Sequence, residues 1–276
     1  MGWIGKGKVA VVTGAGSGIG RALALELARR GAAVAISDVD ARGLEDTAEM
    51  LRAKGRTVRV DLLDVSQREL VEQYADAVVE EFGQVNLVVN NAGVAYFGDV
   101  AEMPYKDLER VMDVDFWGVV HGTKSFLPHL EASGDGHIVN ISSVFGLFAV
   151  PSQSAYNAAK FAVRGFTEAL AMELKNAGSP VTATCVHPGG IKTNIVRNAT
   201  SVEERTGQAG DLSSFFDKKL ARTTPAKAAQ VICDGVDKKK ARVLIGPDAV
   251  AADLVIRLLG PYYQGLFRRV ARRSGL

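Results

Sequence analysis

Tyr156 and Lys160 stand four positions apart in the stretch Tyr156-Asn157-Ala158-Ala159-Lys160. On a helix that spacing sets a phenol and an ammonium side by side on one face. A neighbouring cation favours the phenolate, so the pair is a device for moving one proton near neutral pH. Ser142-Ser143 brings hydroxyls thirteen positions before the tyrosine, where they could hold and polarise a substrate oxygen. Any helix can also carry Tyr and Lys four apart as a solvated pair, so the rest of the chain has to decide.

Three further motifs accompany the pair. Thr13-Gly14-Ala15-Gly16-Ser17-Gly18-Ile19-Gly20 follows a Val-rich run from Lys8 to Thr13 and precedes a helical pattern that ends at Gly31. In a strand, glycine turn, helix setting, glycines let backbone N–H groups and a helix N-terminus approach a pyrophosphate. Asn90-Asn91-Ala92-Gly93 follows another apolar run, and Pro188-Gly189 follows a third. Asp38 lies 18 residues beyond the last glycine of the loop, at the end of a second strand pattern. A carboxylate there can accept hydrogen bonds from the adenosine ribose and would repel a 2′-phosphate.

In this order and at these spacings, the chain from about Lys8 to about Thr193 resembles a classical short-chain dehydrogenase/reductase. The resemblance implies hydride transfer between a nicotinamide and the hydroxyl-bearing carbon of an alcohol. Tyr156 is then the general acid/base, Ser143 binds the substrate oxygen, and Lys160 lowers the tyrosine pKa and holds the nicotinamide ribose. Cofactor contacts are expected from Gly14, Gly16, Ser17, Gly18, Ile19, Gly20, Asp38, Asn90, Asn91, Ala92 and Gly93. The Asp64-Val65 pair would reach the adenine, although Asp64 also reads as the N-cap of a following helix. The loop after Pro188 and Gly189 is assigned to the nicotinamide end, with the Ile191 backbone and Thr193 near the carboxamide. Members that prefer NADP usually carry a basic residue where this chain has Ser17 or Val39, so NAD is expected ahead of NADP, with Arg42 the nearest basic residue in sequence.

One residue departs from the family's pattern. Asp115 stands where an asparagine usually kinks the helix and holds a water that links the lysine to solvent. An ionised carboxylate accepts but cannot donate, so a relay in altered form, with a carboxylate closer to Lys160, is one reading. The other is a local cap or bend with no part in the relay.

The elements that must position these groups follow from pattern. The chain of 276 residues, with 47% hydrophobic and 23% charged residues, fits a single large α/β domain over 1–276. Short apolar runs at Ala33–Ser37, Thr57–Asp61, Val85–Val89, Gly136–Ser143, Val181–His187 and Arg242–Ile245 alternate with helical stretches. This predicts a doubly wound Rossmann domain with a mostly parallel seven-stranded sheet and helices on both faces. The stretch from Pro104 to about Leu130 reads as one long helical region. The helix from Ser154 to about Ala177 is apolar on more than one side, as in the interfaces through which family members form homodimers and homotetramers. His187 reads as a strand-end structural residue, since the family's chemistry does not need it.

The net charge of +2 argues against nucleic acid as a partner. Cys185 and Cys233 lack metal-ligand spacing, and no ligand cluster calls for a metal. No signal pattern precedes the first strand, which makes a cytoplasmic enzyme the default. Residues 194–224 read as a substrate lid and 248–276 as a C-terminal helical tail. The arginines at 268, 269, 272 and 273 suit an anionic membrane surface, a subunit interface or solvent alike. Val94 to Phe97, Val144 to Phe148 and Phe215-Phe216 are apolar candidates for a substrate pocket, which favours a hydrophobic secondary alcohol or ketone. Two alternatives stay open: a cofactor-binding sensor or scaffold that has lost chemistry, and an enzyme acting on nucleotide-linked sugars.

Overall fold

In the computed structural model the described residues are 2–193, 200–201 and 223–265. Val9–Thr13 (β1) is wholly buried, and its side chains alternate between two cores. Ala10 and Val12 face one, with Leu23, Leu27, Leu44, Leu51, Ile232 and Val236. Val9 and Val11 face the other, with Val71, Val78, Phe126, Leu130, Leu170 and Leu174. A strand buried on both faces has no polar side to show, which is why it reads as a continuous apolar run.

The other strands are Ala33–Asp38 (β2), Val58–Leu62 (β3), Leu87–Asn90 (β4), Gly136–Ile141 (β6), Val181–Pro188 (β7) and Arg242–Ile245 (β9), of which β2, β4, β6 and β7 are largely buried and the edge strands β3 and β9 are partly exposed. With β1 they form a seven-stranded sheet in the order β3-β2-β1-β4-β6-β7-β9. Every pairing in it is parallel. Two short strands, Tyr96–Phe97 (β5) and Thr200–Ser201 (β8), pair apart from it.

Helices Gly18–Arg30 (α1), Ala41–Arg52 (α2) and Pro225–Asp237 (α7) cover the first core. Arg68–Phe82 (α3), Gly118–Ala132 (α5) and Ser154–Asn176 (α6) cover the second. Parallel strands require such crossovers. The strand order reverses between β1 and β4, so a crevice opens at their carboxyl ends, where ligands of open α/β sheets bind. The doubly wound fold expected from the sequence is the fold observed.

Three local departures matter for the site. The expected long helix is Tyr105–Met112 (α4) running into α5 through a π-helical turn, Asp113–Trp117, with Asp115 inside it. Asp64 does not cap α3, whose N-cap is Gln67. Its carboxylate instead accepts from the Ser66 amide and hydroxyl, at 3.0 and 2.7 Å, which closes a local turn before the helix can begin. Finally, β6 stops at Ile141, so both serines lie beyond the strand. Pro247–Leu259 (α8) follows β9. Of the lid, only 200–201 and 223–224 are described, and Phe215-Phe216 and the tail arginines lie outside the described residues.

α1 and α7 are joined by an ion network around a buried carboxylate. Glu26 is 8% exposed and pairs with Arg30 at 2.8 Å and with the outer Arg29 at 2.6 Å. Arg30 reaches across to Asp234 and Asp237, each at 2.6 Å. The Arg29 hydrogen bond is the largest influence on Glu26, and with Arg30 it outweighs burial to hold the carboxyl down at about 2. A carboxyl depressed in the folded state adds stability above its unfolded value, and that stability is lost as pH falls towards about 2. Glu26→Gln is therefore expected to lower unfolding stability by on the order of 1–3 kcal/mol near neutral pH. In denaturant titrations the gap between the two proteins should narrow steadily from about pH 4.5 down to about pH 2.

Candidate active site

Tyr156 and Lys160 occupy the first turns of α6. Lys160 Nζ lies 5.5 Å from the centre of the Tyr156 ring. Ser143 follows β6 in extended backbone and caps a short 3₁₀ turn, Val144–Gly146, its Oγ accepting from the Phe145 amide at 3.1 Å. Ser143 also acts on the Tyr156 phenol, in the direction of a lower pKa and as the smallest influence on it. Ser142 faces away and donates to the Lys160 carbonyl at 2.8 Å. That bond pins the strand end to α6, and a side chain at Gly146 would collide with it. His187, at the end of β7, holds Ser143 from below through Nδ1, which donates to the Ser143 carbonyl at 2.9 Å. Burial pushes this imidazole down to about 4, so it is neutral and fixed in one tautomer.

The deepest part of the site is an ion pair. Lys160 Nζ and Asp115 Oδ2 are 2.9 Å apart, with the two side chains 3% and 0% exposed. Lys160 also donates to the Ile141 carbonyl at 3.2 Å, and Asp115 Oδ1 accepts from the Val94 amide at 2.7 Å. Gly93 makes room for the pair: a Cβ there would lie 3.2 Å from Asp115 Oδ2 and 3.5 Å from Lys160 Nζ.

Burial opposes the lysine's charge, but the Asp115 and Tyr156 oxygens outweigh it and raise Lys160 above the usual range. The phenol departs from expectation. Lys160 does lower its pKa, yet burial and the Asp115 charge act the other way, and Tyr156 stands above its ordinary value. Burial is the largest influence on the phenol, and the four-residue spacing shows neither that burial nor the second charge.

Around this centre, the crevice is fitted to a dinucleotide. The left-handed backbone at Gly14 and Gly18 has φ of +64° and +54°, and a Cβ at Gly14 would lie 2.7 Å from Ala92 Cα. Ser17 starts α1 without a side-chain cap, leaving first-turn N–H groups free for an anion. Asn91 binds the Thr13 and Gly14 carbonyls at 2.9 and 3.1 Å, and Asn90 reaches Asn140 at 2.8 Å and Thr123 at 3.2 Å. The two amides thus tie neighbouring strand ends together, as their types suggested.

Asp38 Oδ2 accepts from the Gly16 amide at 2.8 Å and Oδ1 from the Asp40 amide at 2.9 Å, which presents the carboxylate at the end of β2. Thr193 packs against Gly18, with its side chain 3.3 Å from where a Cβ would stand. Ile191 bridges to Thr223. Val65 is buried beneath Gly118, where a Cβ would come within 2.6 Å of its side chain.

The expected apolar pocket is only partly as read. Tyr96 is fully buried and packs into a small core with Val111, Ala155 and Ala159, and Ala95, just before β5, is nearly as buried. Phe145 does lie beside Tyr156, its ring edge-on at 6.4 Å between centres. Phe148 continues the row at 5.4 Å, and Tyr263 continues it at 6.3 Å. Tyr263 was not singled out in sequence, where nothing distinguishes it within an apolar tail.

Asp248 was missed as well. Its Oδ2 accepts from the Gly190 amide at 2.7 Å, which fastens the loop after β7 to the start of α8. In sequence Gly246-Pro247-Asp248 signals only a helix start. Asp248→Ala should release this loop: amide exchange at Gly190 to Thr193 is expected to speed up about tenfold, while β1 and β4 stay protected.

A short chain dehydrogenase family profile matches residues 8–204. SadH of Mycobacterium tuberculosis, named as an oxidoreductase, is 59% identical over 261 residues, covering 95% of this chain and 94% of SadH. A short-chain dehydrogenase/reductase from Burkholderia phymatum, solved with NAD, superposes with a TM-score of 0.84 at 33% identity, covering 92% of this chain and 94% of its own. An alcohol dehydrogenase from Thermococcus sibiricus, solved with 5-hydroxy-NADP, gives a TM-score of 0.72 at 29% identity over 87% and 94% of the two chains. By this family profile and these relatives, the chain belongs to the short-chain dehydrogenase family of oxidoreductases.

Proposed function

We propose that this protein interconverts a hydrophobic secondary alcohol and its ketone, using NAD in preference to NADP, with Tyr156 as general acid/base. The observation that carries this reading is the pairing of Tyr156 with a buried Lys160, whose Nζ lies 5.5 Å from the centre of the phenol ring, with Ser143 delivered by the end of β6. When bound, the dinucleotide supplies or accepts a hydride at C4 of its nicotinamide ring. Tyr156 gives its proton to the carbonyl oxygen in reduction and takes the hydroxyl proton in oxidation. Ser143 donates to that same oxygen and steadies the partial charge that develops on it. Lys160, anchored by Ile141 and Asp115, keeps one N–H for the nicotinamide ribose and stabilises the phenolate after proton loss.

The cofactor preference rests on Asp38, whose carboxylate is oriented by two backbone amides. A 2′-phosphate beside it would meet a like charge. The substrate class rests on the half-buried Phe145 ring beside Tyr156, which offers an apolar face. Assembly as a homodimer or homotetramer is supported by apolar groups left exposed on neighbouring helices: Trp117 at 47%, Phe161 at 41% and Met172 at 61%. Among the described residues no helix is long and apolar enough to cross a membrane. None of their His, Cys, Asp and Glu side chains cluster in threes to hold a metal.

The test is absorbance of the reduced nicotinamide with a panel of secondary alcohols and ketones, run with NAD and NADP in parallel. Turnover with apolar substrates is expected, and Tyr156→Phe should lower kcat by about 10²–10⁴-fold while dinucleotide binding is kept. Binding without turnover across the panel would support the sensor reading instead. In the same assay Asp38→Ala should shift the NAD:NADP preference towards NADP by about tenfold or more, as expected when a like-charge contact of ~1–2 kcal/mol is relieved.

A further inference from the structure

We propose that Asp115 is a positioning residue that pins Lys160 through a direct buried ion pair and so keeps the proton on Tyr156 until a carbonyl oxygen arrives, setting the resting site for reduction. The inference rests on the reading of Tyr156 as the proton carrier and adds to it a direction.

A carboxylate with no exposed surface touches an ammonium that is 3% exposed, at 2.9 Å. Removing two charges from water carries a large hydration cost, which fixed polar partners offset. The Val94 amide meets Asp115 Oδ1 and the Ile141 carbonyl meets Lys160 Nζ. The π-helical turn Asp113–Trp117 interrupts the run from α4 to α5 at the position of Asp115, and such single turns tend to occur at functional sites. Gly93 leaves the pair its space. An asparagine here would leave Lys160 with its full positive charge; the carboxylate cancels it.

The charges that act on the phenol can be named element by element. From α6 there is Lys160, and from the π-helical turn there is Asp115, whose charge opposes it. Arg110 on α4 acts on Asp115 from the exposed side of the helix. On β7, His187 is neutral, and burial pushes the Cys185 thiol up to about 12, so neither carries charge near neutral pH. Ser143 only donates or accepts a hydrogen bond. Burial raises the Asp115 carboxyl, while Lys160 and the Val94 amide favour its charged form; paired with Lys160 at 2.9 Å, it is the one acidic side chain among these groups and acts to retain the proton. A protonated phenol is the form needed to complete reduction of a carbonyl, whereas oxidation needs the phenolate as base.

The test needs neither substrate nor cofactor. Phenolate absorbance in the near ultraviolet is titrated for the purified full chain and for Tyr156→Phe, and the difference isolates Tyr156 among the six tyrosines. The same difference is then taken in the Asp115→Asn background, as Asp115→Asn minus Asp115→Asn/Tyr156→Phe. The midpoint is expected to fall by about one pH unit or more, the size of effect usual for a nearby like charge. A midpoint that stays in place, or rises, would overturn the proposal. If Asp115→Asn does not fold, Asp115→Ser, which leaves space for a water, makes the same comparison. With substrate, the low-pH limb of kcat for alcohol oxidation should move down by the same amount in Asp115→Asn. Failure of every alcohol in the panel would count against the proposed reaction and leave the titration result standing.

Discussion

The buried pair of Asp115 and Lys160 is the constraint on which the rest of the site depends. Its cost in lost hydration is recovered only through fixed partners, and each partner comes from a different element: Val94 from the loop after β4, Ile141 from the end of β6, Lys160 from α6 and Asp115 from the turn between α4 and α5. Four segments are thereby locked at one point beneath the phenol. Removing either charge would strand the other, which is a stronger coupling than any single apolar contact in the region could provide.

The parallel sheet makes such a convergence possible. Because every strand points the same way, β1, β2, β4, β6 and β7 all deliver their last residues to one rim: Thr13, Asp38, Asn90, Ile141 and Pro188. Side-chain amides and hydroxyls then replace the ladder bonds that end there. Asn91 and Thr13 join β4 to β1, while Asn90, Asn140, Thr123 and Thr167 form a buried polar chain from the sheet to α5 and α6. A polar chain of this kind is costly if any member is left without a partner. It therefore fixes the spacing between the glycine cradle and the serine, tyrosine and lysine.

Much of this was legible in the residues, and what escaped did so for physical reasons. Strands buried on both faces announce themselves as apolar runs, and Gly31 marks the end of α1 because its φ of +109° suits glycine. The Tyr156 and Lys160 spacing gave their common face. It could not give the sign of the phenol's shift, since that depends first on burial and then on Asp115, which lies far away in sequence and reaches Lys160 only through tertiary packing. Nor could it show a π-helical turn, whose extra residue per turn leaves no compositional trace. Asp64 looked like a cap because Asx turns and N-caps use the same residue types, and Tyr96 looked like pocket lining because apolarity does not tell inward from outward. Asp248 was hidden behind a helix-start signal that was itself correct.

The central claim is that the Ser143, Tyr156 and Lys160 centre carries out hydride transfer to a carbonyl carbon while Tyr156 delivers the proton. Isotope tracing tests this most directly. Reduced nicotinamide bearing deuterium at C4 would be supplied with a ketone that the protein turns over, and the alcohol product examined for the position of the label. The account predicts deuterium on the carbinol carbon, transferred from one face of the ring only, with a strong loss of labelled product in Tyr156→Phe. A product whose carbinol hydrogen comes from solvent, or undiminished labelling in that variant, would contradict it.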